Sequence, residues 1–296
     1  MNSKKSATVI LGGGSALGLA HIGVLSVLEQ NYEIGAIIGT SIGAVVGALY
    51  ALGLDTDHIL EIAGRQSNAQ VFSPFNLDRR IRGIFDGRHI HDLFKDWTSL
   101  LSIEEGRIPF LAVAYDLNSR STVLINRGAF ADAMRASSSL PLIFSPYRYG
   151  KYLFVDGGIE HPLPLSFAKM YKHDVVISVN VLPLVEHEAV MIEPQILETI
   201  KRKRIHSSEI LLQAVLQNQG YLALKDTIAY EPDIVIEAAL PEGRPYAFHK
   251  SKMFYDYGYK ICTETLAEYR EPTFIDKIRR HYSNLTARIQ KVKDIS

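Results

Sequence analysis

Three glycine-rich segments hold the residues of this 296-residue chain that are best suited to chemistry. The segment Gly39–Gly43 reads Gly-Thr-Ser-Ile-Gly, a pattern in which a serine hydroxyl projects from a tight turn between a strand and a helix. The flanking glycines give such a turn the room that it requires. A helix that begins at Ser41 would also direct N–H groups toward developing negative charge. This segment therefore predicts Ser41 as a nucleophile.

The second segment, Gly12–Gly18, reads Gly-Gly-Gly-Ser-Ala-Leu-Gly after an apolar run. Successive glycines allow backbone N–H groups to converge on an oxygen anion. A dinucleotide loop is the competing interpretation, but it expects an acidic residue at the end of the second strand, which here ends in Gly-Thr-Ser. A phosphate-binding P-loop requires Gly-Lys-Ser/Thr, which is absent. The pattern favours an oxyanion-binding loop.

In the third segment, Asp156 closes the strand-like run KYLFV and is followed by two glycines. Aspartate before glycine is common in ordinary turns. A carboxylate within hydrogen-bond reach of a serine can instead orient the hydroxyl and accept its proton, and burial raises its basicity. Spacing alone leaves both interpretations open.

The elements that must position these segments alternate between strand and helix. Apolar runs without alternation, each followed by a helical pattern, are typical of a parallel sheet covered on both faces. We therefore expect an α/β fold, a three-layer α/β/α sandwich with a mainly parallel central sheet. Its strands are predicted at 7–11, 34–39, 110–115, 122–125, 151–155, 174–180 and 233–238. Helices are predicted at 17–31, 42–53, 129–138 and roughly 190–229.

Residues 34–54 carry no charge and are long enough to span a bilayer. They also contain Gly43 and Gly47, spaced like a transmembrane packing motif. However, Gly39–Ser41 interrupts the run and its two halves differ in character. A buried strand, a tight turn and a buried helix explain it better than a membrane span.

Composition narrows the function classes. Lys+Arg and Asp+Glu both number 32, so the zero formal charge argues against bulk binding of nucleic acid. A single cysteine, Cys262, excludes an internal disulfide framework and fits a reducing compartment. The short apolar run at the N-terminus does not fit a signal peptide. We expect a cytoplasmic location, with peripheral contact with a membrane as an open alternative.

Several other polar residues receive a structural interpretation. His89 and His91 fall in a helical segment, where positions i and i+2 point to different faces, so a shared metal is not expected. Ser137–Ser139 are expected to end a helix before a proline. His21 is expected to be a packed or capping residue. Five histidines follow Asp156, and none lies in a clear strand-end loop: His161, His173, His187, His206 and His249.

Taken together and in this order, GGGSALGLAHIGVL, GTSIGA and VDGG resemble the patatin-like phospholipases. RASSSLPLIFSP, FLAVAYDL and FHKSKMFYDYGYK resemble that family too, so the likeness covers roughly residues 7–270. The resemblance implies a Ser–Asp dyad without histidine, with Ser41 as nucleophile and Asp156 as base. It also implies an oxyanion hole formed by backbone amides. Its predicted members are Gly12, Gly13, Gly14 and Ser15.

Two positions depart from the family pattern. Leu17 stands where members usually carry Arg or Lys, and this questions a phospholipid substrate. Glu160 and His161 stand where members often have paired asparagines, and this questions how the turn after Asp156 is supported.

The expected function is a serine acyl-ester hydrolase of lipids, of the phospholipase A or lysophospholipase type, with no metal or organic cofactor. A non-catalytic lipid-binding or regulatory protein on the same scaffold stays open, as does an acyltransferase or thioesterase. Residues 1–270 are predicted to form the hydrolase domain, with 55–107 as a helical wall or lid. The apolar residues proposed for that wall are Phe72, Phe75, Ile84, Phe85, Leu93, Phe94 and Trp97.

Residues 271–296 form a separate prediction. Ile275, Ile278, Tyr282, Leu285 and Ile289 follow alternating steps of three and four, which indicates an amphipathic helix. Basic residues occupy its other faces. Such a helix would oligomerise the chain, contact a membrane surface or dock on its own domain. A lipid or acyl ester is the expected substrate partner.

Overall fold

The computed structural model describes residues 3–65, 85–141, 143–183, 207–241 and 243–270. Residues Met1–Thr263 form one compact unit, which contains the candidate site described below, and Glu264–Ser296 belong to a second. Three predictions fall on residues outside the described ranges: the C-terminal amphipathic helix, the part of the long helix before residue 207, and the wall residues Phe72, Phe75 and Ile84.

The described strands form one mixed sheet, in the order β5-β6-β3-β2-β1-β7-β8, with β4 also paired to β3. Strands β3, β2, β1, β7 and β8 pair in parallel, whereas β4 and β6 are antiparallel to β3, and β5 is antiparallel to β6. The bounds are β1 Ser6–Leu11, β2 Glu33–Thr40, β3 Phe110–Asp116, β4 Ser121–Ile125, β5 Tyr147–Tyr149, β6 Tyr152–Asp156, β7 Val175–Asn180 and β8 Ile234–Glu237.

Seven α-helices accompany the sheet in the described ranges. They are α1 Ala20–Asn31, α2 Ile42–Leu52, α3 Thr56–Gly64, α4 Arg88–Thr98, α5 Phe130–Ser137, α6 Ser207–Tyr230 and α7 Ser251–Glu268. A 3₁₀ turn, Ser15–Leu19, replaces the first turn of the helix predicted from residue 17. The predicted alternation of strands and helices is otherwise confirmed.

Both faces of the sheet are covered by helices, as a predominantly apolar parallel sheet requires. Neighbouring residues of β2 illustrate this. Ile37 faces α2, where its side chain would lie 2.7 Å from a Cβ added at Gly47. Ile38 faces the other way and belongs to a buried cluster with Leu216 of α6. The three-layer α/β/α architecture is therefore confirmed, with antiparallel strands at one end of a parallel centre.

The uncharged run 34–54 is divided between β2 and α2, as predicted, with Ser41 between them. Among the described helices, none combines the length and the hydropathy needed to cross a bilayer.

Candidate active site

Ser41 lies at the junction of β2 and α2 with φ 57° and ψ −124°. A positive φ is uncommon for a residue with a side chain and is typical of strained functional turns. The two flanking glycines allow this crossing. A Cβ at Gly39 would lie 2.5 Å from the Gly43 carbonyl oxygen, and a Cβ at Gly43 would lie 2.3 Å from that of Leu11. The pattern Gly-x-Ser-x-Gly is thus required by backbone packing between β1, β2 and α2.

The backbone N–H of Ser41 donates a hydrogen bond to Ser137 Oγ at 2.9 Å. The Ser137 hydroxyl in turn donates to the Val113 carbonyl of β3 at 2.6 Å. Ser137 is fully buried at the end of α5. The sequence interpretation assigned Ser137 only to the helix end. The Ala-Ser-Ser-Ser stretch before Leu-Pro gives no local indication that one hydroxyl reaches a residue 96 positions earlier.

Asp156 ends β6 and is almost completely buried. Its Oδ1 accepts a hydrogen bond from the Gly158 N–H at 2.7 Å, whereas Oδ2 has no partner among the described residues. Burial raises the pKa of the carboxyl to about 6, and the nearby Ser41 side chain and the Gly158 N–H counteract part of that rise. Ser41 is therefore close enough to influence the carboxyl, although no well-formed hydrogen bond joins the two side chains. A buried oxygen without a donor is suited to receive a proton.

The sheet brings Ser41 and Asp156 together across β3. Thr40 of β2 pairs with Val113, and the next residue of β3, Ala114, pairs with Asp156. Asp156 reaches this level from the opposite direction to Ser41. Because β6 is antiparallel to β3, it returns from the far tip of β3 and ends level with the end of β2.

The glycine-rich loop also lies at this point, but not all of its amides are free. The Gly12 N–H donates to the Val179 carbonyl at 3.1 Å, and the Gly13 N–H donates to the Pro162 carbonyl at 2.8 Å. Within the described part of the chain, no acceptor is paired with the N–H of Gly14 or Ser15. Of the four residues predicted for the oxyanion hole, Gly14 and Ser15 therefore keep an N–H that can bind an oxyanion. The N–H groups of Gly12 and Gly13 instead hold the loop in place.

The two remaining amides belong to residues with unusual backbone angles. Gly14 has φ 148° and Ser15 has φ 54°, both in the region that favours glycine. His21, which is fully buried, supports the loop from beneath. Its Nε2–H donates to the Gly12 carbonyl at 2.8 Å, and burial lowers its pKa to about 4 despite that hydrogen bond. A neutral His21 that holds the loop agrees with the predicted packing role.

The segment after Asp156 connects the elbow to the glycine-rich loop. The Thr40 hydroxyl donates to the His161 carbonyl at 2.8 Å, and the adjacent Pro162 carbonyl accepts from Gly13. The three glycine-rich motifs are thus joined by hydrogen bonds through a single turn.

An apolar cavity opens beside Ser41 and Ser15. One face of α2 forms a wall from Ser41 to Leu49, and α3 and α4 contribute further side chains. The lining residues are Ser15, Leu19, Ile22, Ser41, Ile42, Val45, Val46, Leu49, Ile59, Ile62, Ala63, Ile90, Phe94, Trp97, Ser138, Leu140, Ile143, Phe144, Leu212 and Phe248. Among the described residues of this lining there is no charged side chain and no histidine.

The predicted wall residues divide into two groups. Phe94 and Trp97 line the cavity, with ring centroids 5.4 Å apart. Leu93 and Phe85 do not line it, although Phe85 packs against the lining residue Phe144 at 6.3 Å. Whether this wall moves as a lid stays a prediction.

Arg135 holds two segments around the cavity together. It is buried, and its guanidinium donates to the carbonyls of Gly87 and Ser145, at 3.1 and 2.9 Å. Gly87 directly precedes α4, and Ser145 follows the cavity residue Phe144. This buried cation has a structural role because its donors satisfy carbonyls of the chain.

The remaining candidates lie away from the cavity. Cys262 is buried, and burial raises its pKa to about 12, which is unsuited to a nucleophile. His91 Nε2 lies 2.9 Å from Asp132 Oδ1. His89 lies on the same helix, and no group of three His, Cys, Asp or Glu side chains within the described ranges could hold a metal.

Of the later histidines, His173 is hydrogen-bonded to Thr8 at 2.7 Å, and His249 is exposed. His187 and His206 lie outside the described residues.

The sequence pattern described as Patatin-like phospholipase matches residues 9–169, which is 161 of the 296 residues. The chain belongs to the patatin-like phospholipase family. Membership supports lipid hydrolysis as the general class of activity. The match includes all three glycine-rich motifs and ends before β7.

Individual relatives agree with this assignment. An uncharacterized NTE family protein of Mycobacterium tuberculosis is 34% identical over 180 residues, which cover 60% of this chain and 50% of that protein. Patatin-like phospholipase domain-containing protein 6 of Mus musculus is 31% identical over 183 residues, 58% of this chain and 13% of that protein. The chain thus spans half or less of the length of these relatives.

A solved structure, VipD from Legionella pneumophila, is also similar. It has 13% sequence identity and a TM-score of 0.44, covering 89% of this chain and 67% of that chain.

The first departure from the family pattern, Leu17, is accommodated in the core. Its side chain is 4% exposed, and its Cδ2 would lie 2.6 Å from a Cβ at Gly243. Leu17 does not line the cavity. Its replacement of a basic residue therefore changes packing behind the loop and not the surface of the cavity.

The second departure, Glu160 and His161, does not disturb the turn that carries Asp156. Glu160 accepts a hydrogen bond from the Thr122 hydroxyl. The His161 ring lies 3.9 Å from the Asp226 carboxylate of α6. Both side chains thus connect the turn to neighbouring elements.

Proposed function

We propose that this protein is a serine acyl-ester hydrolase that cleaves lipid esters of the phospholipase A or lysophospholipase type through Ser41 and Asp156. The observation that carries the proposal is the buried Asp156 carboxyl, which interacts with the side chain of Ser41 and has one oxygen without a partner, while Ser41 itself lines an apolar cavity. Burial makes this carboxylate a stronger base than an exposed one.

In the proposed reaction, Asp156 takes the Ser41 proton as the hydroxyl oxygen attacks the ester carbonyl carbon. The N–H groups of Gly14 and Ser15 stabilise the oxyanion of the tetrahedral intermediate. When the intermediate collapses, the leaving alcohol takes the proton from Asp156, and an acyl group stays on Ser41. Asp156 then accepts a proton from a water molecule that attacks the carbonyl carbon of the acyl-enzyme. As this second intermediate collapses, Asp156 gives that proton to Ser41 Oγ, and the fatty acid leaves.

The cavity favours an acyl chain of limited length. From Ser41 to Leu49 the wall of α2 extends eight residues, or roughly 12 Å at about 1.5 Å per residue. An extended chain advances about 1.2 Å per bond, so roughly ten carbons fit along this wall. The apolar lining excludes a charged head group from this part of the site, so the head group or alcohol is expected outside it.

The alternative of a non-catalytic lipid-binding protein loses its main support, because Leu17 is buried away from the cavity. A binding protein would also have no need of a strained serine beside a buried carboxylate. Hydrolysis is therefore the function that we favour.

The test is hydrolysis of p-nitrophenyl esters of graded chain length and of a lysophospholipid by wild-type protein, Ser41→Ala and Asp156→Asn. We expect activity in the wild type and a loss of several orders of magnitude in both variants. Mass spectrometry after treatment with a fluorophosphonate should place one adduct on Ser41. Equal activity in wild type and Ser41→Ala would refute the proposal. An adduct on Ser41 without hydrolysis would indicate acyl transfer to another acceptor.

A further inference from the structure

Ser137 connects the backbone of Ser41 to β3, the strand that lies between Ser41 and Asp156, by two hydrogen bonds. Its hydroxyl accepts the Ser41 N–H at 2.9 Å and donates to the Val113 carbonyl at 2.6 Å. Both bonds have good lengths for hydrogen bonds to oxygen. Ser137 is fully buried, so water does not compete for either bond.

The position of this hydroxyl matters because the turn at Ser41 is strained. A residue with φ 57° keeps that conformation only where its surroundings hold it. Without the Ser137 hydroxyl, the part-buried Ser41 N–H would lose its hydrogen-bond partner. The turn would then be free to rotate toward another partner.

The second hydrogen bond of Ser137 ends on Val113, which lies in the sheet next to both members of the site. It pairs with Thr40, and its neighbour Ala114 pairs with Asp156. The segment that carries Ser137 holds the other member of the site as well, since the Asp156 N–H donates to the Ser139 carbonyl at 2.9 Å. One short segment at the end of α5 thus contacts the backbone of both residues.

We propose that Ser137 is a positioning residue that fixes the Ser41 hydroxyl relative to Asp156 Oδ2, an inference that rests on the proposed function. Ser137 does not act as an acid or base, because its one proton is committed to the Val113 carbonyl. It acts through the Ser41 backbone, and it does not line the cavity where substrate would bind.

The experiment compares wild type, Ser137→Ala and Ser137→Cys. Alanine removes the hydroxyl and leaves a gap, whereas cysteine fills the site with a larger sulfur that is only a weak hydrogen-bond partner, so a loss common to both variants follows from the missing hydrogen bonds. We expect both variants to lower kcat by 10- to 100-fold, because a displacement of about 1 Å at a reacting group costs this much. KM should change by less than about threefold, and the pH midpoint of kcat/KM should move upward, because the displaced Ser41 side chain no longer counteracts the rise in the Asp156 pKa that burial causes.

Ser178→Ala is the matched control. Ser178 is also fully buried, and its hydroxyl donates to a backbone carbonyl, that of Ile234, at 3.4 Å. It lies on β7, and the rates of this variant should stay within about twofold of wild type, even where its thermal stability falls as much as that of Ser137→Ala.

Two different failures can be told apart. If the wild type shows neither hydrolysis nor a fluorophosphonate adduct on Ser41, the proposed function is wrong and this inference falls with it. If the wild type reacts through Ser41 but Ser137→Ala and Ser137→Cys keep wild-type kcat, or change only KM, only the positioning role is refuted.

Discussion

Replacing Asp156 with asparagine should make the protein inactive and should increase its stability relative to wild type as the pH rises from about 4.5 to about 8. The carboxyl is buried, and this burial raises its pKa from 3.8 to about 6. A raised pKa means that the folded state prefers the protonated acid. The contribution of this carboxyl to the free energy of unfolding is therefore fully present below its ordinary pKa, and it is lost as the pH rises through about 6.

The size of the effect follows from the shift. At about 1.4 kcal/mol per pKa unit, a shift of this size corresponds to a cost of about 3 kcal/mol for the ionised carboxylate at pH 8. At pH 4.5 the same relation leaves a cost of about 1 kcal/mol. Asparagine carries no charge at either pH. Burial of its new N–H group lowers the free energy of unfolding by the same amount at both pH values. The stability of Asp156→Asn relative to wild type should therefore increase by about 2 kcal/mol between pH 4.5 and pH 8.

Urea unfolding of both proteins at about pH 4.5 and about pH 8 measures this difference directly. Thermal unfolding should show a relative change in Tm of about 4 °C between the same two pH values. In the wild type, kcat/KM should rise with pH to a plateau with a midpoint near 6, because the base must be ionised.

Asp116→Asn is the matched control, because Asp116 is also a buried carboxylate. Burial alone would raise its pKa, but hydrogen bonds from three residues outweigh this effect and lower the pKa to about 2. Asp116 is thus ionised at both pH values, so its asparagine variant should be destabilised by the same amount at each. A difference between Asp156→Asn and wild type that does not change with pH would refute our account of the Asp156 carboxyl.

Two further predictions concern the loop and the cavity. Gly14→Ala should lower kcat by at least about 100-fold. Gly14 has φ 148°, and a Val181 methyl would lie 2.9 Å from the added Cβ, so the oxyanion donors would have to move. Gly150→Ala, with φ 58° and open space around it, should leave kcat unchanged, and an equal loss in both would contradict this reasoning. Leu49→Ala should shift the preferred ester chain length upward by lengthening the cavity, at a cost of about 2–5 kcal/mol in stability. Leu25→Ala, a buried leucine outside the cavity, should lose similar stability with no change in preference.

The local parts of the site could be predicted from the sequence. Ser41 is flanked by a strand and a helix that are contiguous in the chain, and the glycines around it are demanded by close backbone packing. The same holds for the loop after β1. In each case the sequence pattern and the turn that it predicts fall within about ten residues of one another along the chain. A short-range pattern is therefore sufficient to predict the turn.

The meeting of Ser41 and Asp156 depends on long-range pairing that no local pattern contains. Their proximity follows from the antiparallel register of β6 on β3, in which Ala114 pairs with Asp156. Resemblance to a family indicated the pair of residues, whereas spacing along the chain left the role of Asp156 open.

Which backbone groups remain free was likewise decided only by the tertiary structure. A run of glycines shows where amides can converge, but the carbonyls that occupy two of them belong to Val179 and Pro162, far along the chain. Ser137 reaches Ser41 in the same way, across 96 positions. The turn at Ser41 and the order of the elements can be predicted from the sequence, because both arise from neighbouring residues. The partners of each polar group follow only from the folded chain, because they depend on the register between distant strands.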